Sequence, residues 1–224
     1  AAIENAPKVG IEITDFGMEH EPECIKKYYE GCATLADMAR KAASMEGVDF
    51  LSFRMEGGDP NGVNKSTEEL IGELKEIADA VDLPLVVCGC KNVEKDAELF
   101  SKAAEALNGK NAVILSAKEE NYKTVGAAAG LAYKQVVGAE SAVDINLAKQ
   151  LNVLISQLGV DSKSVVMNVG TAAVGYGFEY VISTMDRVKA AALQQGDANL
   201  QMPIITPVAS EAWGVKEAMA SEAD

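Results

Sequence analysis

The sequence predicts an α/β fold in which short parallel strands alternate with helices, and three observations predict it. Seven β-branched or apolar runs recur along the 224 residues, spaced by roughly 25–40 residues, as strand–helix units require. These runs are continuously apolar, which is typical of parallel strands covered by helices. The first strand leads into Asp15-Phe16-Gly17 without the G-x-G-x-x-G turn of an open nucleotide-binding sheet. A TIM-type (β/α)8 barrel is therefore favoured over an open sheet.

Seven strands are predicted in chain order. They lie at residues 9–13, 50–54, 85–88, 112–116, 136–137 (the weakest), 165–168 and 204–206. A TIM barrel has eight strands in about 250 residues, so the eighth strand is expected beyond the C-terminus. Residues 1–224 are thus predicted to form one parallel barrel domain that is incomplete at its C-terminal end. The last residues, 217–224, are expected to lie in the helix after the seventh strand.

The segments between the strands carry apolar residues at helical spacing. Three stripes predict amphipathic helices: Leu70, Leu74 and Ile77; Leu147, Leu151, Leu154, Ile155 and Leu158; and Val181, Met185, Val188 and Ala192. Gly47 and Gly159 follow helical segments and are predicted to end them, because glycine readily adopts the left-handed conformation at a helix C-terminus.

Composition and charge exclude several classes of function. The chain has 20 basic and 34 acidic residues and a net charge of −14, so it is predicted not to bind nucleic acid, whose phosphates it would repel. No apolar run approaches the roughly 18 residues that a membrane span needs, and the first residues lack the features of a secretory signal. A cytoplasmic protein that does not enter the membrane is predicted.

The four cysteines are predicted to be free thiols. Cys88 and Cys90 are one residue apart and have no matching pair elsewhere, and His20 is the only histidine. Two such ligands make a weak metal site, so buried or half-buried thiols are favoured and no metal is predicted. His20 lies among three glutamates, and a solvated acidic loop is the favoured interpretation.

Function in a parallel barrel is expected at the carboxyl ends of the strands, where the loops converge. The predicted strand ends are rich in amides, hydroxyls and carboxylates. Their lysines are Lys91 and Lys118, and few of their groups titrate near neutral pH. This composition suits hydrogen bonding to a polar ligand better than acid–base chemistry, and no independent catalytic site is predicted.

Several strand-end residues also have a purely structural interpretation. Asp59 lies in a Gly-Gly-Asp-Pro turn signal, for which a turn is favoured. Asn92 is suited to cap the helix that follows it, and for Asp144 and Asn146 a helix cap and a ligand contact remain equally open. Trp213 fits a role in covering a ligand, in contacting a neighbouring subunit or in the core.

The segment 169–177 is less easily explained as a turn. It places three glycines and Thr171 between a predicted strand and a helix, which is longer than a simple turn needs. Glycines at such a point let backbone amides approach a ligand closely, so a functional loop is favoured.

The residues around this loop resemble a known family. The stretches Thr171-Ala-Ala-Val-Gly-Tyr-Gly-Phe-Glu-Tyr180 and Met185-Asp-Arg-Val188, together with Leu200-Gln-Met-Pro-Ile204, Ala212-Trp-Gly214 and Asp144-Ile-Asn146, are similar to the small subunit of the corrinoid/iron–sulfur protein. This is also called the delta subunit of the acetyl-CoA decarbonylase/synthase complex. The matches keep their order from about residue 49 to about residue 217.

The resemblance implies a TIM-barrel subunit that forms a heterodimer with a larger subunit, which carries an iron–sulfur cluster and a corrinoid domain. The cobalt corrinoid is then shared between the two chains, with no cluster in this one. The heterodimer would take a methyl group from a methyl-tetrahydropterin methyltransferase and deliver it to acetyl-CoA synthase, in the carbon-fixing acetyl-CoA pathway of anaerobes. The strand-end residues expected to bind the corrinoid are Asp59, Asn92, Asp144, Asn146, Asn168, Thr171 and Thr206.

Two other functions fit the same residues. A pterin-dependent methyltransferase on the same barrel would use Asp59, Asn92, Asp144 and Asn168 for the pterin. A structural scaffold subunit would bind nothing at its strand ends. The corrinoid-holding subunit is preferred over both.

Overall fold

All seven predicted strands are present in the computed structural model, which describes residues 5–212 and 214–220. Three were predicted at their observed bounds, and the others differ by one to three residues at an end. The strands are β1 Gly10–Thr14, β2 Phe50–Arg54, β3 Leu85–Cys88, β4 Val113–Ala117, β5 Val136–Glu140, β6 Val165–Asn168 and β7 Ile204–Ile205.

Helices lie between successive strands, as the apolar stripes predicted. They are α1 Glu23–Tyr28, α2 Leu35–Ala43, α3 Thr67–Ala80, α4 Val93–Ala106, α5 Tyr122–Val125 with a π-helical continuation Gly126–Ala132, α6 Ile145–Gln157, α7 Phe178–Gln194 and α8 Ala209–Ala212. Each of the three predicted stripes falls within one of the long helices α3, α6 and α7, except that Leu158 is the C-cap residue of α6. In the part of the chain that the structure describes, every helix is too short or too polar to cross a bilayer.

The chain divides into two units, Ala1–Val113 and Ile114–Asp224. In the first unit β1 pairs with β2 and β2 with β3, all parallel, with Glu12 opposite Ser52 and Arg54 opposite Cys88. The core of this unit is the set of buried side chains between the strands and helices α2, α3 and α4. Its largest members are Leu51, Phe53, Leu70, Leu74, Ile77, Leu99 and Phe100.

The second unit repeats the arrangement with β5, β6 and β7, which pair in parallel in that order. Glu140 lies opposite Asn168, and Ala139 opposite Met167. Successive side chains on a strand point to opposite faces. Glu140 and Asn168 therefore share one face of the sheet, whereas Ala139 and Met167 share the other.

Two glycines take the left-handed backbone that helix ends favour. Gly159 has φ +103° and directly follows Leu158, the C-cap residue of α6, as predicted. Gly47 has φ +85° but lies three residues beyond Ser44, the C-cap residue of α2. Gly47 therefore serves the turn into β2 rather than the helix end itself.

The predicted helix at the C-terminus is only partly present. Lys216–Met219 is a 3₁₀ turn instead of an α-helix, and residues 221–224 lie outside the described residues, as does Trp213. Gly214 stands between this turn and the four-residue α8, and a glycine inside a helix is unfavourable by roughly 1 kcal/mol relative to alanine. A short helix interrupted in this way does not continue.

Replacement of Leu151 by alanine tests whether the stripe of α6 is a true core. Leu151 is fully buried, whereas Leu193 on α7 is 75% exposed. Leu151→Ala is expected to lower the free energy of unfolding by about 2–5 kcal/mol through lost burial and a residual cavity. Leu193→Ala should stay within about 0.5 kcal/mol. Urea unfolding of both variants measures this, and equal losses would contradict the packing of α6.

Candidate functional site

Polar side chains lie at or after the carboxyl ends of the strands in both units. In the first unit a guanidinium–carboxylate pair links β1 to β2. Arg54 Nε donates to Glu12 Oε1 at 3.0 Å and its Nη2 donates to Oε2 at 2.9 Å. The two side chains are only 9% and 11% exposed. Ser52 Oγ lies 3.5 Å from Glu12 Oε2 and 3.4 Å from Cys88 Sγ on the same face.

This pair keeps Arg54 charged inside the protein. Burial alone would lower the pKa of Arg54, but the electrostatic influence of Cys88 and the hydrogen bonds and charge of Glu12 outweigh it, so the pKa is raised. A buried pair of this kind needs both members, because either charge alone would be left without a partner in a low-dielectric interior. Its bidentate geometry fixes the register of β1 against β2 and gives the pair a structural role.

A second buried network joins the loops after β1 and β2. Asp15 has a fully buried side chain that accepts from the backbone N–H of Gly57 at 2.9 Å and from Lys65 Nζ at 3.1 Å. Lys65 also donates to Glu73 Oε1 at 3.1 Å. A side chain at Gly57 would collide with the Asp15 carboxylate. The glycine is therefore required by the close approach of a buried carboxylate to the backbone.

Asp59 and Asn92 both bind their own loop backbones. Asp59 Oδ1 accepts from the backbone N–H of Asn61 at 2.9 Å and from its side-chain amide at 3.2 Å. Asn92 Oδ1 accepts from Lys95 N–H at 3.0 Å and caps α4. The turn at Asp59 and the cap at Asn92 are confirmed, and corrinoid contact at either residue stays a prediction.

The four cysteines are free, as predicted. The backbone N–H of Cys90 donates to Asp96 Oδ1 at 2.7 Å, and its Sγ lies 3.2 Å from the same oxygen. Burial, followed by the charge of Asp96, raises the pKa of Cys90 to about 12. Among the described residues, no group of three or more histidine, cysteine, aspartate or glutamate side chains is arranged to hold a metal ion. His20 is exposed and contacts Phe16 edge-on at 4.7 Å, which fits the predicted solvated loop.

In the second unit one amide ties three strand ends together. Asn168 is 4% exposed, and its Nδ2 donates to Ser116 Oγ at 2.9 Å and to Glu140 Oε2 at 3.4 Å. Its Oδ1 accepts from the backbone N–H of Gly170 at 3.0 Å. Lys118 Nζ completes the group at 3.3 Å from Glu140 Oε1. We call Ser116, Lys118, Glu140 and Asn168 the Asn168 cluster, of which Lys118 and Glu140 form the half-exposed edge.

The glycine-rich loop begins at this cluster. Gly170, Gly175 and Gly177 all have positive φ, at +85°, +83° and +109°, which glycine adopts without strain. Close approach of a ligand to their backbone amides stays a prediction. The hydroxyl oxygen of Thr171 is buried and has no hydrogen-bond partner among the described residues, and the same is true of Ser141 directly after β5. A buried polar group without a partner costs about 1–3 kcal/mol, so a water or a ligand group is expected to satisfy it.

The remaining predicted residues also lie after strands of the second unit. Asp144 caps α6, because its Oδ1 accepts from the backbone N–H groups of Asn146 at 2.8 Å and Leu147 at 3.1 Å. The Asn146 side chain is exposed in the first turn of α6. Thr206 follows β7, and its Oγ1 lies 3.8 Å from Met185 Sδ. The cap at Asp144 is thus confirmed.

Sequence reasoning missed Glu12, Ser52, Arg54 and Glu140 as interior polar groups. A signal for the first three was present, because Ser52 and Arg54 alternate with Leu51 and Phe53, and Glu12 lies between two isoleucines. Period-two alternation within an otherwise buried strand indicates a polar interior face. Glu140 lies at the end of the strand that was predicted only at residues 136–137.

Comparison with known proteins agrees with the resemblance seen in the sequence. The sequence model of a family described as CO dehydrogenase/acetyl-CoA synthase delta subunit matches residues 1–222. The chain is 34% identical over 215 residues to the acetyl-CoA decarbonylase/synthase complex subunit delta of Methanothermobacter thermautotrophicus, covering 95% of this chain and 54% of that protein. It is 37% identical over 182 residues to the subunit delta of Methanopyrus kandleri, covering 81% and 45%. The chain spans about half the length of the curated relatives it matches.

A solved structure supports the fold. Dihydropteroate synthase from Xanthomonas albilineans, in complex with 7,8-dihydropteroate, matches with a TM-score of 0.50 and 16% identity, over 89% of this chain and 71% of that one. That enzyme is a TIM barrel, so the predicted fold class is confirmed.

Thiol labelling tests the burial of the Cys88-Gly89-Cys90 segment. With Ellman's reagent at pH 8, Cys24 and Cys32 are expected to react promptly, because they are exposed and half-exposed. Cys88 and Cys90 should react only after unfolding, since both are buried and Cys90 stays protonated at this pH. The Cys90→Ser variant serves as the control and should lose only a slow thiol. Prompt labelling of Cys90, identified by mass spectrometry, would contradict this environment.

Proposed function

The chain belongs to the family of CO dehydrogenase/acetyl-CoA synthase delta subunits, and on that premise we propose that it is the corrinoid-holding subunit of a methyl carrier. Its partners are then a larger corrinoid/iron–sulfur subunit, a methyl-tetrahydropterin methyltransferase that supplies the methyl group, and acetyl-CoA synthase that receives it. The corrinoid, when bound, supplies the cobalt that accepts and releases the methyl group. This chain binds, orients and shields that cofactor.

The observation that carries this proposal is the buried hydroxyl of Thr171 in the glycine-rich loop, for which residues 5–212 and 214–220 supply no hydrogen-bond partner. It lies one residue beyond Gly170, whose N–H is held by Asn168, so the loop starts from a fixed point. A corrinoid presents amide side chains around a largely apolar ring. A buried hydroxyl and a loop whose glycines bring backbone amides to the surface match those amides, and the exposed Val174 and Tyr176 of the same loop match the ring.

The Asn168 cluster supports holding rather than acid–base chemistry. The Asn168 side-chain N–H groups donate to Ser116 and Glu140, and its side-chain carbonyl accepts from the backbone N–H of Gly170. An amide with these bonds positions its neighbours and does not exchange protons with a substrate. The charged residues of the cluster, Lys118 and Glu140, form an ion pair with 3.3 Å between Lys118 Nζ and Glu140 Oε1. The chemistry of transfer therefore belongs to the cofactor, and this chain supplies position and exclusion of water.

The pterin-dependent methyltransferase is less well supported. Such a site needs aspartate and asparagine side chains directed at a pterin. Asp59, Asn92 and Asp144 each use a side-chain oxygen to hold backbone N–H groups of their own loops. Their observed contacts are those of turn and cap residues.

Corrinoid titration of the Thr171→Val variant tests the proposal. Cobalamin is added to this protein alone, to the larger subunit alone and to both together, and binding is followed by ultraviolet–visible absorption. Tight binding is expected only with both subunits present. Thr171→Val, which keeps the side-chain volume but removes the hydroxyl, should weaken retention about 2–10-fold through one lost hydrogen bond. Thr124→Val, at an exposed position on α5, is the matched control and should change nothing.

The same variant has a second expected outcome. Because the Thr171 hydroxyl has no partner in the part of the chain that the structure describes, its removal should leave the thermal stability of the isolated chain unchanged or raise it. Tight corrinoid binding by this chain alone, or retention in the complex that is unaffected by Thr171→Val, would contradict the proposed role.

A further inference from the structure

The loop after β5 holds two consecutive non-glycine residues in the left-handed backbone region. Ala142 has φ +43° and Val143 has φ +62°. A β-branched residue is a rare outlier there, because its side chain crowds its own backbone. Conformations of this kind persist only where the surrounding structure dictates them, and they cluster at functional positions.

The surroundings of Val143 do dictate its conformation. Its N–H donates to the carbonyl of Val169 at 2.8 Å, and the hydroxyl of Thr184 on α7 lies 3.2 Å from its carbonyl oxygen. Gly170 lies against Ala142, where an added Cβ would come within 3.3 Å of the Ala142 Cα. The strained pair is therefore held by α7 and by the glycine-rich loop, to which Val169 and Gly170 belong.

The fold gains little from the side chain held in this way. Val143 is 41% exposed, so its isopropyl group is not part of the core. Tyr180, in the first turn of α7, lies next to the glycine-rich loop, because a Cβ added at Gly177 would come within 3.5 Å of the Tyr180 Cδ2. Tyr180 is 67% exposed. Val143 after β5 and Tyr180 at the start of α7 are thus both exposed, and each lies in a segment that contacts the glycine-rich loop.

We propose that Val143 is a contact residue that packs against the apolar edge of the corrinoid in the assembled protein. This inference rests on the proposed function and adds to it a residue that no hydrogen-bonding argument would select. A valine whose backbone is already held and whose β-branched side chain has few rotamers loses little freedom on binding, so its contact is pre-organised. Glycine would satisfy the backbone without strain but would remove that contact.

The inference predicts opposite effects on stability and on corrinoid retention. Val143→Asn and Val143→Gly both tolerate positive φ, so each should raise the thermal unfolding midpoint of the protein without corrinoid. In the heterodimer with the larger subunit, both should speed the release of cobalamin about 3–10-fold, as loss of one exposed apolar contact implies. Val9→Asn is the matched control, because Val9 is an exposed valine before β1 with no positive φ. It should change neither quantity.

Each outcome separates this inference from the function on which it rests. If the wild-type heterodimer retains cobalamin and the Val143 variants release it at the wild-type rate, Val143 is not a contact and this inference alone is overturned. If the variants are not more stable than the wild type, the strain premise is wrong and the inference also falls. If the wild-type heterodimer retains no cobalamin, the proposed function fails first, and the corrinoid contact fails with it.

Discussion

The hydrogen bonds of the Asn168 amide fix the strand ends of the second unit. This buried side chain holds Ser116 at the end of β4 and Glu140 at the end of β5, and it accepts from Gly170 at the start of the glycine-rich loop. An amide offers two donors and one carbonyl oxygen, and here both kinds of group are used. The starting direction of the loop that carries Thr171 follows from this one residue.

Buried polar side chains also hold together the strands and loops of the first unit. Asp15, Lys65 and Glu73 brace the loops after β1 and β2, and the pair of Glu12 and Arg54 fixes two strands. Buried polar groups need hydrogen-bond partners, and these side chains find them in one another, except for Glu73 Oε2, which has none among the described residues. In the second unit, the glycine-rich loop presents its backbone together with the exposed side chains of Val174 and Tyr176. Such a surface is suited to holding a large cofactor that brings its own reactive metal.

The fold was largely predictable from the sequence, because apolar strands and amphipathic helices leave periodic patterns that burial enforces. The site was less predictable, because aspartate is suited both to capping a helix and to binding a ligand. The cap at Asp144 became visible only from the two backbone N–H groups that lie 2.8 and 3.1 Å from its Oδ1. The buried Glu12 and Arg54 were visible as alternation but were not read as a pair. The strain at Val143 had no sequence signal, because it arises from contacts with Val169, Gly170 and Thr184, which are distant in the chain.

Hydrogen–deuterium exchange of the heterodimer, with and without cobalamin, tests most directly whether the strand-end loops of the second unit hold the cofactor. If these loops hold the cofactor, cobalamin slows amide exchange in residues 141–144 and 169–177, while the starts of β5 and β6 exchange at unchanged rates. Unchanged exchange in both loops on cobalamin binding, or protection confined to the opposite ends of these strands, would contradict it.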